Sequence, residues 1–163
     1  MGSIVITFTK LSVRWGHNSM GYRSEVVLYV GPEVMPQFMV TMAKCQATRA
    51  MCFADHERMV KDYGGEKGSF LFSWDHIKWY DSYPEVQALT DFMDWCDEEK
   101  IPTGEKDTEG NDKTEHASEF FKFIRIGEEM DDNEQRGDAM WGDICIRSPD
   151  FFSPKNLFLN IFK

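Results

Sequence analysis

Apolar and polar side chains alternate along several short stretches of the chain, which is the pattern of β-strands with one buried face. The first stretch, residues 4–15, changes phase near Thr9, so we expect a bend or bulge there. A second, β-branched run covers residues 25–30, and we expect these two stretches to pair as antiparallel strands. Further strands are predicted at residues 69–80, 120–126, 140–147 and 157–161.

Two segments have the period of an amphipathic helix. Alanines recur at spacings of four, three and four residues from Ala43 to Ala54, which predicts a helix from Met35 to about Lys61. A second helix should begin near Ser82, because Ser82 and Glu85 stand three residues apart as a capping box, with Pro84 inside the first turn. Its predicted buried stripe comprises Val86, Leu89, Met93 and Cys96.

About six strands and two main helices, in an order that does not alternate strictly, predict an α+β fold with a mostly antiparallel sheet. We expect one domain over residues 1–163, since this length can bury a sizeable core. Residues 99–118 are rich in Pro, Gly, Thr and charge, with Ile101 as the only large apolar side chain, and we expect a flexible acidic loop there. The four cysteines lie in apolar segments without a CxxC pair, which indicates reduced, buried thiols.

Charge divides the chain unevenly. Residues 1–80 carry a net charge of +2 and residues 81–138 a net charge of −13, within a total of −10. This charge disfavours direct binding to nucleic acid or to a membrane, and it favours a basic protein surface as the partner. The first ten residues lack the basic and long apolar regions that are typical of a signal peptide, and no apolar run approaches the ~20 residues of a membrane helix. We therefore expect a cytoplasmic protein.

Two groups of carboxylates are the candidate partner-binding residues. On the second predicted helix, Asp91, Asp94 and Glu98 recur at spacings of three and four, and we call them the helical acidic stripe. Such like-charge neighbours lie ~5–6 Å apart and destabilise a helix slightly, so stability alone would not select them. The alternative is that they only keep the protein soluble. The second group, which we call the acidic turn, comprises Glu128, Glu129, Asp131, Asp132 and Glu134.

No motif names a reaction, because GxSxG, Gly-rich phosphate loops and HExxH are all missing. We therefore assign no catalytic residue, no cofactor and no metal ligand. Cys45, Cys52 and His56 would share one helix face, but a fourth ligand is not nearby, and buried thiols are the preferred interpretation. Asp75 and His76 are a candidate acid/base pair. Adjacent residues of a strand point to opposite faces, so we do not expect them to cooperate. The alternation of apolar residues within residues 69–80 changes phase at Asp75-His76, which predicts a bulge in that strand.

One set of motifs lies in the second half of the chain: Ile77-Lys78-Trp79-Tyr80, Tyr83-Pro84-Glu85-Val86, Phe123-Ile124-Arg125-Ile126-Gly127-Glu128-Glu129, Asp131-Asp132 and Arg147-Ser148. With this arrangement, residues 74–148 resemble small, acidic, largely uncharacterised accessory proteins of tailed bacteriophages. The resemblance implies a viral protein made in the bacterial host cytoplasm, where such proteins inhibit host defence or nucleic-acid-handling enzymes. It implies no particular catalytic or binding residue.

The sequence therefore predicts a non-enzymatic, acidic interaction protein that binds and inhibits a host defence or nucleic-acid-handling protein. Its carboxylates would imitate the phosphates of DNA and bind a basic surface of that host protein. Two alternatives remain open. One is a small enzyme or nucleotide-binding protein that uses the Trp/Tyr/His strand around His76, and the other is a homo-oligomer that serves as a phage structural or assembly protein.

Overall fold

A computed structural model of the chain describes residues 5–7, 21–54, 59–129, 131–139, 143–147 and 158–162. The chain divides into two compact units, Tyr22–Ala139, and Met1–Gly21 together with Met140–Lys163. The described helices are α1 (Met35–Lys44), α2 (Gln46–Phe53) and α3 (Pro84–Glu98). The described strands are β1 (Val5–Thr7), β2 (Ser24–Val30), β3 (Met59–Lys61), β4 (Phe70–Ile77), β5 (Lys100–Lys106), β6 (Asp112–His116), β7 (Phe121–Ile126), β8 (Asn133–Arg136), β9 (Asp143–Arg147) and β10 (Phe158–Phe162).

The strand β2 is the centre of a five-stranded sheet in the order β3-β4-β2-β7-β8. All neighbouring strands in this sheet are antiparallel. Val26, Val27 and Leu28 follow one another in β2 and are each less than 5% exposed. A continuous apolar run of this kind is typical of a strand that is buried on both faces. The predicted α+β fold with mostly antiparallel sheets is confirmed.

Aromatic rings join the helices to this sheet. Phe38 of α1 lies 5.5 Å from Phe72 of β4 and 5.2 Å from Phe92 of α3, measured between ring centroids. Phe92 in turn lies 6.1 Å from Phe121 of β7. Within the described part of the chain, no helix combines the length and hydropathy needed to span a membrane. The predicted stripe of α3 is buried as expected, and its buried members are Val86, Leu89, Phe92, Met93 and Cys96.

The prediction of a single helix over residues 35–61 is wrong. Cys45 has an extended backbone, with φ −124° and ψ 107°, and separates α1 from α2, while Met59–Lys61 forms strand β3. The alanine spacing marks no packing face, because the helices bury larger side chains such as Phe38, Met42 and Cys52. A larger apolar side chain removes more surface from water, so it determines which face turns inward. The alanines of the predicted pattern are all exposed, namely Ala43, Ala47, Ala50 and Ala54.

The predicted capping box of α3 is also wrong. The N-cap is Tyr83 instead of Ser82, and no side chain caps the helix. The Tyr83 N–H donates to the Tyr80 carbonyl at 2.9 Å, and the two tyrosine rings pack edge to face with centroids 5.2 Å apart. This turn fixes the start of α3 without a hydroxyl cap. Pro84 occupies the first turn as expected, where its missing N–H has no intrahelical partner to lose.

Residues 99–118 do not form the irregular loop that the sequence predicts. The strands β5 and β6 pair as an antiparallel ribbon, with a register shift between Pro102 and Lys106. At its end the Asp107 carboxylate accepts hydrogen bonds from the backbone N–H of Glu109 and Asn111 at 2.9 and 2.8 Å. Paired backbones and this aspartate-stabilised turn require few apolar residues, so hydrophobic periodicity does not detect the ribbon. Oppositely charged neighbours add support, namely Lys106 with Asp112 and Lys113 with Glu105 and Glu115.

The predicted pairing of the first two strands is wrong. β2 has β4 along one edge and β7 along the other, so neither edge is available to an earlier strand. In the other unit β1 pairs with β10, and β10 pairs with β9, all antiparallel. The bulge predicted near Thr9 lies outside the described residues.

Candidate functional site

The helical acidic stripe lies on the exposed side of α3, opposite its buried side. Asp91, Asp94 and Glu98 are all exposed, and so is Asp97, which lies outside the predicted stripe. The last turn of α3 contains no basic residue. The C-terminal end of a helix carries a partial negative charge, so carboxylates there are unfavourable. The charges of Asp97 and Glu98 therefore do not stabilise α3 through their interaction with the helix dipole.

One arginine partly neutralises the stripe. Arg136 of β8 places Nη2 2.6 Å from Asp94 Oδ1 and 2.6 Å from Asp97 Oδ2. Its side chain is 19% exposed, whereas the side chain of Asp94 is 56% exposed. A single guanidinium thus serves two carboxylates, and the stripe keeps a negative charge. This contact joins α3, which carries the helical acidic stripe, to β8, which contains Glu134 of the acidic turn.

The acidic turn connects β7 to β8, and its most deeply held member is Asp132. Arg125 donates Nη1 to Asp132 Oδ2 at 2.8 Å and Nη2 to Oδ1 at 2.6 Å, and the Tyr22 hydroxyl donates to Oδ2 at 2.5 Å. These hydrogen bonds, with Arg125 contributing most, lower the pKa of Asp132 to about 2. Arg125 also donates Nε to Glu134 Oε2 at 3.3 Å. Asp132 and Glu134 therefore both form ion pairs with Arg125 within the fold.

The remaining members of the turn differ in their contacts. Glu128 accepts a hydrogen bond from the backbone N–H of Arg23 at 3.1 Å. Glu129 and Asp131 are exposed, and neither carboxylate has an ion-pair partner among the described residues. The structure thus separates the eight predicted carboxylates into two sets. Asp94, Glu128, Asp132 and Glu134 have partners within the fold, whereas Asp91, Glu98, Glu129 and Asp131 are exposed without an ion-pair partner in the described part of the chain.

A cleft of about 370 Å³ lies between α3 and the β7–β8 hairpin. Asp91 and Glu134 line it, so the structure brings one residue of each predicted acidic group to the same cleft. Arg125 is the cationic group of the lining. The remaining lining residues are Trp79, Asp81, Gln87, Thr90 and Met93.

The predicted bulge in β4 is confirmed, and it changes the geometry of Asp75 and His76. The register between β2 and β4 shifts between Ser24 and Val26, so Glu25 faces both Asp75 and His76. His76 has φ +54°, a left-handed conformation, and the alternation of side chains fails there. Its Nε2 lies 3.7 Å from Asp75 Oδ1 and its Nδ1 3.4 Å from Glu25 Oε1. The expectation that Asp75 and His76 point apart is wrong, because it applied the alternation of a regular strand across a bulge.

The two tryptophans of the same segment, Trp74 and Trp79, belong to the core. Trp74 is 3% exposed, and its indole N–H donates to the Met51 carbonyl at 3.0 Å. Trp79 is 7% exposed and packs on Phe123, with ring centroids 5.4 Å apart. The Trp74 ring cannot stack on a nucleotide base without leaving the core. Trp74 therefore offers no support for the nucleotide-binding alternative.

Comparisons with protein-family models, with curated proteins and with solved structures find no match to this chain.

Proposed function

We propose that this protein is a non-enzymatic interaction protein that binds a basic surface of another protein through an acidic face. The face consists of the exposed carboxylates Asp91 and Glu98 of α3 and Glu129 and Asp131 of the acidic turn. The observation that carries the proposal is the last turn of α3, where acidic side chains accumulate without a basic neighbour in that turn. This placement works against the helix dipole. Asp97 is paired with Arg136, whereas Glu98 is exposed and has no ion-pair partner among the described residues.

The contacts around the arginines support the same conclusion. Where the fold needs a carboxylate, as at Asp132, the side chain is held by Arg125 and Tyr22. Asp91 and Glu98 have no such ion pair among the described residues and remain exposed to a partner. A surface of one sign raises the rate of association with an oppositely charged surface, and the attraction weakens as salt increases.

The partner that fits this chemistry is a protein with a basic groove, such as one that binds nucleic acid. Rows of carboxylates ~5–6 Å apart along a helix offer charges that a phosphate-binding groove can accept. The resemblance of residues 74–148 to accessory proteins of tailed bacteriophages supports a host defence or nucleic-acid-handling enzyme as the target. It also supports the bacterial host cytoplasm as the place of action. Binding would then block the groove and inhibit the host protein.

The test is capture from a bacterial lysate with wild-type protein and two matched variants. Asp91→Asn/Glu98→Gln removes two charges from the acidic face, and Glu109→Gln/Glu119→Gln removes two charges from exposed positions elsewhere. We expect wild type and the second variant to capture the same host protein at about 50 mM salt and much less of it at about 300 mM, since screening increases with ionic strength.

The first variant should capture little of that protein at either salt concentration. Double-stranded DNA added to the lysate should displace the wild-type protein if the occupied groove is one that binds DNA. Equal capture by both variants at both salt concentrations would contradict the proposal.

A further inference from the structure

We propose that Glu25, Asp75 and His76 form a binding site for a divalent first-row transition-metal ion. The three side chains each offer one ligand atom, and these atoms all lie within 4.8 Å of one another. The site lies on β2 and β4 and includes no residue of the acidic face. It is therefore independent of the protein-binding function proposed above.

The bulge in β4 is what brings the three ligands together. In a regular antiparallel pair one residue faces one residue, and its two neighbours on the partner strand point away. Here the register shift makes Glu25 face two residues of β4 at once. The positive φ of His76 then directs the imidazole towards both carboxylates instead of the opposite face of the sheet. Three potential ligands converge as a result of one extra residue.

The distances are close to those within a coordination shell. Metal–ligand bonds of ~2.0–2.2 Å place neighbouring ligand atoms ~3–3.5 Å apart. His76 Nδ1 and Glu25 Oε1 are 3.4 Å apart, which already satisfies this separation. Asp75 Oδ1 lies 3.7 Å from the other ring nitrogen, and one ion takes only one ring nitrogen. A small rotation of the Asp75 side chain or of the imidazole would complete the set.

The ligand types select the class of ion. Two carboxylate oxygens and one imidazole nitrogen suit Mn²⁺, Fe²⁺, Co²⁺ and Zn²⁺, whereas Cu⁺ prefers the sulfur of thiolates and thioethers. Arg23 lies close to these ligands, because its Nη1 donates a hydrogen bond to the His76 carbonyl at 3.1 Å. The side chain of His76 is 55% exposed, so water can complete the coordination sphere.

The experiment uses Mn²⁺ as the probe, because Mn²⁺ binds thiolates poorly and the cysteines then do not compete. The full-length protein is freed of metal with a chelator and titrated with Mn²⁺, and the free ion is measured from its electron paramagnetic resonance signal. We expect wild type to bind about one ion per chain in a saturable manner. Loss of a ligand or supporting group typically weakens metal affinity ~10–100-fold, so we expect His76→Gly and Glu25→Gln each to bind Mn²⁺ at least tenfold more weakly. Glycine accepts the positive φ at residue 76, so this variant removes the ligand without straining the backbone.

Two controls separate this site from general attraction of cations. His116→Ala removes an exposed histidine from β6, and Asp91→Asn/Glu98→Gln removes charge from the acidic face; both should bind Mn²⁺ like wild type. Mn²⁺ should also raise the melting temperature of wild type and of these controls, but not that of His76→Gly. Failure of wild type to saturate, or unchanged binding in both His76→Gly and Glu25→Gln, would overturn the proposal. Loss of binding in the acidic-face variant alone would also overturn it, because the ions would then be held by the acidic face.

Discussion

Replacing Asp132 with Asn should destabilise the fold, whereas the same change at Asp131 should not. The carboxylate of Asp132 takes two hydrogen bonds from Arg125 and one from Tyr22, while Asp131 is exposed. These contacts lower the pKa of Asp132 from 3.8 to about 2. Each pKa unit corresponds to 1.36 kcal/mol, so the full shift is worth roughly 2.5 kcal/mol at neutral pH.

Exposure to solvent reduces this figure. The Asp132 side chain is 31% exposed, and water screens part of the interaction with Arg125. Asn also keeps some of the hydrogen bonds as a neutral acceptor. We therefore expect Asp132→Asn to lower the free energy of unfolding by about 1–2 kcal/mol at pH 7, and Asp131→Asn to change it by less than ~0.5 kcal/mol.

The sign of the pH dependence follows from the direction of the pKa shift. The folded protein holds Asp132 ionised at a lower pH than the unfolded chain does, so the stabilisation is complete above about pH 5 and falls as pH decreases. The difference between wild type and Asp132→Asn should shrink to about half near pH 3 and nearly vanish at pH 2. Urea unfolding followed by tryptophan fluorescence measures it, since Trp74 and Trp79 are buried. A difference at pH 7 no larger than that of Asp131→Asn, or one that persists undiminished at pH 2, would refute the reasoning.

Three further predictions concern single positions. His76→Gly should be more stable than His76→Ala by about 1 kcal/mol in urea unfolding, because φ is +54° at this residue and glycine adopts a positive φ more easily than alanine. Both variants lack the imidazole, so equal stability would show that the fold does not hold residue 76 at a positive φ. Cys45→Ser should slow the reaction with a disulfide reagent more than Cys96→Ser does, because hydrogen bonds from Thr48 lower the pKa of Cys45, whereas burial raises the pKa of Cys96 to about 12. Glu98→Gln should raise the free energy of unfolding by about 0.3–1 kcal/mol by removing a charge that opposes the helix dipole, and a lower stability would contradict this account of α3.

Hydrophobic periodicity was sufficient to predict α3 and β4. The buried stripe of α3 could be predicted because Val86, Leu89 and Met93 repeat with the period of a helix. The strand β4 and its bulge could be predicted because the alternation changes phase at Asp75. In both cases the information lies within a few neighbouring residues.

Elements that are held by the backbone or by distant partners could not be predicted in this way. The β5–β6 ribbon depends on paired backbones and the turn at Asp107, and neither produces an apolar pattern. The division of the acidic residues depends on Arg125 and Arg136, and Arg136 lies 39 and 42 positions from its partners in α3. Charge density therefore indicated where the acidic groups lie, but it could not distinguish Asp132, which is held inside the fold, from its neighbour Asp131.

We propose that exposed carboxylates of α3 and the acidic turn bind a basic surface of another protein. The most direct measurement is the affinity of the captured host protein for wild type, Asp91→Asn/Glu98→Gln and Glu109→Gln/Glu119→Gln across a range of salt concentrations. We predict that wild type and Glu109→Gln/Glu119→Gln bind alike, and that their affinity falls steeply with salt. Asp91→Asn/Glu98→Gln should bind more weakly and with a shallower salt dependence. Identical affinity and identical salt dependence for all three proteins would contradict it.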